Sequence, residues 1–205
     1  MATMLYQGHG SYRFVTDNGT VVYVDPFAGE GYDLPADVVL VTHEHPDHRL
    51  VDKMPHAQGC DVLRAAQLLP SPGAYQTLET HGISVQAVQA ENANHPINEC
   101  VGMVLRMDGI SFYASGDTST TDDMRSGKLA AMQLDYAVFP GDGFYNMGPE
   151  EASECARLVA AKHSIPVHLV PVHDPSNPTL FSREAAERFS AEGRIILEPG
   201  EQLQL

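Results

Sequence analysis

Val38-Val39-Leu40-Val41-Thr42-His43-Glu44-His45-Pro46-Asp47-His48 decides the reading of this chain. Four apolar β-formers run into a loop carrying three imidazoles and an aspartate. Such a run reads as a buried strand, with the loop at its exit. Imidazole nitrogen and carboxylate oxygen are the ligands that zinc and similar divalent cations accept. A catalytic metal takes three protein ligands and keeps one position open, so the loop offers more than one metal uses. The spacing suggests two adjacent metals, one on His43 and His45, the other on Asp47 and His48.

A site of this kind needs ligands from elsewhere. His95 sits in Asn92-Ala93-Asn94-His95-Pro96, Asp117 in Ser115-Gly116-Asp117-Thr118, and His173 in Pro171-Val172-His173-Asp174. Each follows an expected strand, where a rigid scaffold hands side chains to a loop. The plainer readings are a loop histidine for His95 and a helix cap for Asp117. His168 competes with His173. Side chains alternate along a strand, so the two face opposite ways. With a strand expected over Pro166 to Val172, His173 stands at its exit and His168 inside it, which favours His173.

The 205 residues are enough for one domain with a real core, expected to span 1–205. Hydrophobic residues are 43% and charged residues 19%, ordinary for a globular protein. No apolar run approaches a membrane span. Met1-Ala2-Thr3-Met4-Leu5 has no basic region followed by an apolar stretch, so no secretory signal is expected. Cys60, Cys100 and Cys155 are widely spaced and read as reduced thiols of a cytoplasmic protein. The formal charge of −15, from 12 basic and 27 acidic residues, argues against a sequence-independent grip on nucleic acid. The expected partner is a small-molecule substrate, with neither nucleic acid nor membrane. Self-association stays open.

Strands are expected over Leu5 to Gln7, Ser11 to Thr16, Thr20 to Val24, Asp37 to Val41, Ile83 to Gln89, Val101 to Met107 and Ile110 to Ala114. Asp17-Asn18-Gly19 and Asp108-Gly109 are hairpin signals. The second half alternates: helix Thr121 to Met132, strand Leu134 to Phe139, helix Pro149 to Lys162, strand Pro166 to Val172, helix Ser182 to Ala191, then strands Arg194 to Leu197 and Gln202 to Leu205. Arg64 to Thr80 is too broken for a regular helix. The pattern suggests two packed sheets with helices outside.

The order H-x-H-x-D-H, His, Gly-Asp-Thr, Pro-x-His resembles the metallo-β-lactamase superfamily of metal-dependent hydrolases. Gly8-His9-Gly10-Ser11, Val24-Asp25-Pro26-Phe27, Gly116-Asp117-Thr118 and Met147-Gly148-Pro149-Glu150-Glu151-Ala152 are similar to its L-ascorbate-6-phosphate lactonase-like branch. The resemblance implies an α/β fold, an αββα sandwich of two mixed sheets with outer helices. It also implies one metal on His43, His45 and His95, a second on Asp47, His48 and His173, and Asp117 bridging both. The ions would be zinc or manganese, with iron also compatible with nitrogen and oxygen ligands.

Two such ions lower the pKa of a shared water, and the resulting hydroxide attacks a small ester, lactone or phosphoester. Asp47 and Asp117 are the expected catalytic carboxylates, with Asp47 shuttling a proton. Asp25, Thr118 and Asp174 are candidates to orient ligating imidazoles. His9 and Tyr145 are candidate substrate contacts, with a turn histidine and a packing tyrosine as the plainer readings. Asp142 reads equally as a pocket acid or a turn residue. Rival readings are a nuclease with the same metal site, against which the acidic composition counts, and a metal- or ligand-binding protein without turnover.

Overall fold

The computed structural model describes residues 1–172 and 176–205. One sheet is built from β1 (Thr3–Gly8), β2 (Ser11–Val15), β3 (Val21–Val24), β4 (Ala36–Val41), β5 (His56–Arg64) and β12 (Gln202–Gln204), in the order β12-β1-β2-β3-β4-β5. The other is built from β6 (Thr77–Thr80), β7 (Ile83–Gln89), β8 (Val101–Met107), β9 (Ile110–Ala114), β10 (Tyr136–Pro140) and β11 (His163–Val167), in the order β11-β10-β9-β8-β7-β6. Each sheet is mixed: β3, β4 and β5 run parallel in the first, and β9, β10 and β11 in the second.

Strand periodicity assembles the core. On β4, Val38 and Leu40 face the second sheet, while Val39 and Val41 face outward. They meet Met103 and Leu105 of β8 and Phe112 and Ala114 of β9 between the layers. Outward-facing Tyr113 and Val104 of the second sheet are covered by α3 (Pro149–Val159), which buries Ala152, Cys155, Ala156 and Val159. Pro149 opens that helix and Glu150 and Glu151 occupy its first turn, where its dipole favours acids.

Three shorter helices complete the set: α1 (Ala65–Leu68), α2 (Asp122–Arg125) and α4 (Arg183–Arg188). The outer helices are unequally shared. Among the described residues, the outer face of the first sheet is covered by Tyr32, Leu34, Val51 and Met54 from irregular segments.

The Asp108-Gly109 turn joins β8 to β9 with Met107 opposite Ile110. Both turn residues have positive φ, 50° and 79°, as a two-residue hairpin turn of right-handed twist requires. Several expected boundaries move. The helix expected over Thr121 to Met132 stops at Arg125, and Gly127 at φ 77° precedes a separate 3-10 turn over Ala130–Met132. β5 and β6 lie where no strand is expected, because β5 is largely exposed and carries little apolar alternation. Arg194 to Leu197 makes only a bridge to Ser164.

The strand expected over Pro166 to Val172 runs instead over His163–Val167, ending where its parallel partner β10 ends at Pro140. Beyond it, the His168 amide bonds to the carbonyl of His9 at 2.8 Å. His168 is therefore the residue at the strand exit. No helix among the described residues is long and apolar enough to cross a membrane.

Candidate metal centre

Four strand exits converge at one edge of the two sheets. The loop after β4 supplies His43, His45, Asp47 and His48. The segment after β7 supplies His95, the turn after β9 Asp117, and the exit of β11 His168. Among the described residues, two ligand groups with atoms within 4.8 Å of one another are His43, His45 and His95, and His9, Asp47, His48 and His168; a third, Asp25, His43 and His48, links them from behind. Asp117 stands between them. Its Oδ2 is 3.2 Å from His95 Nε2 and 3.4 Å from His168 Nε2, and its Oδ1 is 3.4 Å from His48 Nε2. It caps no helix; Thr121 caps α2 by accepting from the Met124 amide.

The structure thus brings together His43, His45, Asp47, His48, His95 and Asp117, as the sequence pattern anticipates. The preference for His173 over His168 rested on a strand reaching Val172, and that strand ends at Val167. His168 occupies the place beside Asp47 and His48. His173 and Asp174 lie outside the described residues.

Four buried imidazoles, those of His43, His48, His95 and His168, have an oxygen acceptor behind Nδ1. His48 Nδ1 donates to Asp25 Oδ2 at 3.0 Å. His43 Nδ1 meets the Thr42 hydroxyl at 3.0 Å, and that hydroxyl donates to Asp25 Oδ2 at 2.6 Å. His95 Nδ1 donates to Asn92 Oδ1 at 2.8 Å. His168 Nδ1 lies 2.9 Å from Asp142 Oδ2, off the axis of an ideal hydrogen bond. An acceptor behind Nδ1 selects the tautomer that presents the Nε2 lone pair forward.

Asp142 also accepts the amides of Phe144 and Tyr145 at 2.7 Å, which makes it an orienting acid rather than a solvated turn residue. Asn146 Nδ2 ties Asp117 Oδ2 to Asp142 Oδ2 at 2.9 Å each, and its Oδ1 accepts from Asn92. Asn92, Asn146 and Thr42 carry no motif signal, so sequence reasoning passed over them. Thr118 turns away and bonds the backbone of Glu91.

The fit to metal can be tested on the atoms. Nε2 of His43, His48, His95 and His168 is buried with no hydrogen-bond partner. Buried polar atoms are normally satisfied, and leaving one unmade costs about 1–3 kcal/mol. Four buried Nε2 atoms without a hydrogen-bond partner, gathered around the Asp47 and Asp117 carboxylates, form a donor set that divalent cations satisfy once any ring proton has left. Burial pushes His43 down to about 2, so its ring is neutral and ready to ligate. Burial also pulls on His48, but Asp117 and Asp25 outweigh it and hold that imidazole well above the ordinary histidine value.

Backbone strain gathers here. Asp25, His9 and His168 adopt φ of 44°, 51° and 48°, in the left-handed region that non-glycine residues rarely use. His9 is buried, its Nε2 lies 3.1 Å from Asp47 Oδ2, and its ring centroid is 3.5 Å from that of His168. His9 therefore lies within the second group, with its Nε2 turned to Asp47. Tyr145 braces the Asp142 loop: its amide donates to Asp142, its carbonyl accepts from Asn94, and its ring meets Phe144 edge-on.

The motif glycines are explained by close approach. A Cβ on Gly10 would lie 2.9 Å from His48 Cε1, and one on Gly116, at φ 61°, would lie 3.0 Å from Thr42 Cβ.

Residues 3–168 match the family model described as "Beta-lactamase superfamily domain". A protein of Methanoregula boonei named UPF0173 metal-dependent hydrolase is 32% identical over 90% of this chain and 90% of its own. One of the same name from Nitratidesulfovibrio vulgaris strain DP4 is 31% identical over 98% of this chain and 94% of its own. Among solved structures, one from Parabacteroides distasonis superimposes with a TM-score of 0.71 at 23% identity, over 94% of this chain and 90% of that one. Igni18, a metallo hydrolase from Ignicoccus hospitalis, gives 0.70 at 18% identity, over 98% and 97%. The chain belongs to the beta-lactamase superfamily and, within it, to the family named UPF0173 metal-dependent hydrolase.

Proposed function

We propose that this protein is a two-metal hydrolase of small esters, lactones or phosphoesters. The observation that carries the reading is the set of four unpartnered imidazole Nε2 atoms, three of which lie within 3.4 Å of the Asp117 carboxylate. His43, His45 and His95 would hold one ion, and Asp47, His48 and His168 the other, with Asp117 shared between them. Zinc, manganese or iron suits this nitrogen and oxygen set. Bound there, divalent ions would supply Lewis acidity, lowering the pKa of a bound water and polarising the scissile carbonyl or phosphoryl group.

The chain's own residues divide the remaining work. Asp117, buried and held by Asn146, stays ionised: burial pushes its carboxyl up, but His168 and His48 outweigh burial and hold it well below the carboxylate range. Asp47 is the carboxylate of the second group that reaches solvent, which suits it to carry a proton from the reacting oxygen to bulk water. Burial pushes His9 down to about 4, so it is neutral and donates one N–H to Asp47 Oδ2. That donor helps outweigh the burial that pushes Asp47 up, and its carboxyl lies below the ordinary aspartate value. His9 is thereby a positioning residue for Asp47.

The test is to strip the protein, reload it with zinc or manganese, and assay lactones, carboxylic esters and phosphodiesters. Metal-dependent turnover that His95→Ala reduces at least a hundredfold supports the reading. Equal turnover by the stripped and reloaded protein contradicts it.

A further inference from the structure

Beside the His43, His45 and His95 group lies a cavity of about 350 Å³, lined in part by His43 and His45. One wall is α1 and the residues after it, presenting Ala65, Ala66, Leu69 and Pro70; Pro96 lies among the residues opposite. Its charged residues, Glu44 and Glu99, are both acidic and exposed. The neighbouring cations are already committed. Arg64 Nη1 contacts both oxygens of Glu44 at 3.0 Å, and Arg49 lies 3.5 Å from the same carboxylate. Cys100 adds no charge, since burial pushes its thiol up to about 12.

A cavity that opens on the metal ligands, has an apolar wall and, among the described residues, is lined by no lysine or arginine selects by hydrophobic contact. We propose that it is the substrate-recognition subsite, taking an uncharged alkyl or aryl substituent of an ester or lactone and turning away anionic substituents. This rests on the hydrolase reading and narrows it, since a phosphorylated or carboxylated substituent would meet Glu99, while among the described residues no arginine or lysine lines the cavity and the nearby Arg49 and Arg64 pair with Glu44. Ala66 lines the groove and is exposed, so a larger side chain there probes its width.

The experiment uses the metal-loaded protein and γ-lactones bearing linear side chains of zero to six carbons. Burial of each methylene in the groove raises kcat/KM by roughly two- to fourfold. Ala66→Trp, at an exposed position that leaves the core untouched, removes that chain-length dependence at an unchanged metal content. The chain contains no other tryptophan, so a blue-shifted indole emission reports whether the new ring lies in the groove. Glu99→Lys raises kcat/KM for a lactone whose side chain ends in a carboxylate by several-fold.

A binding arm separates this inference from turnover itself. The corresponding γ-lactams are titrated calorimetrically, and tighter binding with chain length, lost in Ala66→Trp, supports the subsite even if no lactone is hydrolysed. Lactone turnover and lactam affinity independent of chain length, or a wild-type preference for the carboxylate-tailed lactone, would overturn it.

Discussion

Asp25 Oδ2 accepts a hydrogen bond from His48 Nδ1 at 3.0 Å, and the same oxygen accepts the Thr42 hydroxyl at 2.6 Å. Its other oxygen takes the Thr42 amide at 2.8 Å. One buried carboxylate thus sets the direction of two imidazoles, His48 directly and His43 through Thr42.

Asp25→Asn keeps the volume but replaces one acceptor oxygen with a donor amide. His48 or Thr42 then loses its acceptor, and an unsatisfied buried group costs about 1–3 kcal/mol. Removing the partner behind a ligating imidazole typically costs 10- to 100-fold in metal affinity. The expected outcome is a folded protein with a lower Tm and a weakened second metal, measured by competition with a chromophoric chelator. An unchanged affinity would show that Asp25 does not orient His48.

Gly10→Ala tests packing rather than hydrogen bonding. The added methyl would press within 2.9 Å of His48 Cε1, closer than carbon atoms tolerate. The ring must shift by a few tenths of an ångström, enough to spoil ligand geometry while the β1–β2 hairpin stays paired. Metal bound by the second group is expected to weaken about tenfold or more, a displaced ligand being at least as damaging as a lost partner behind it. Circular dichroism should be unchanged.

Metal uptake should be linked to protons with a definite sign. In the metal-free protein burial lowers His48 and His168, but the adjacent carboxylates outweigh it and hold both above 6.5. A raised imidazole contributes stability below its unfolded value and loses it as pH rises through its folded value. Both rings therefore hold a proton more tightly than an ordinary histidine, and a cation must compete with it. Zinc titrated at pH 7 is expected to release protons, seen as buffer-dependent heats. Between pH 8 and pH 6 the second group should weaken more than the first, where His43 is pushed to about 2 and has no proton to lose.

The parts legible in the sequence were those where one residue type suffices. The His43–His48 loop, His95 and Asp117, which the fold brings together, stand out in the sequence because ligand chemistry restricts such positions to a few side chains. The hairpin at Asp108-Gly109 was found because positive φ at two consecutive positions restricts them to a few residues. Strand length was a different matter. β11 stops at Val167 because β10 beside it stops at Pro140, and nothing in Val167-His168-Leu169-Val170 marks that limit. That five-residue difference is why the sequence favours His173 over His168 for the strand exit, while His173 itself lies outside the described residues. Asn92 and Asn146 were equally hidden, because an amide that orients an imidazole looks in sequence like any other loop asparagine.

The central claim is that Asp117 joins two ligand groups into one dinuclear centre. Metal analysis of wild-type protein and Asp117→Ala, by plasma mass spectrometry after purification with zinc or manganese, tests it directly. The account predicts two ions per chain in the wild type and, in the variant, at least one of them lost. One ion or none in the wild type, or two retained without Asp117, would contradict it.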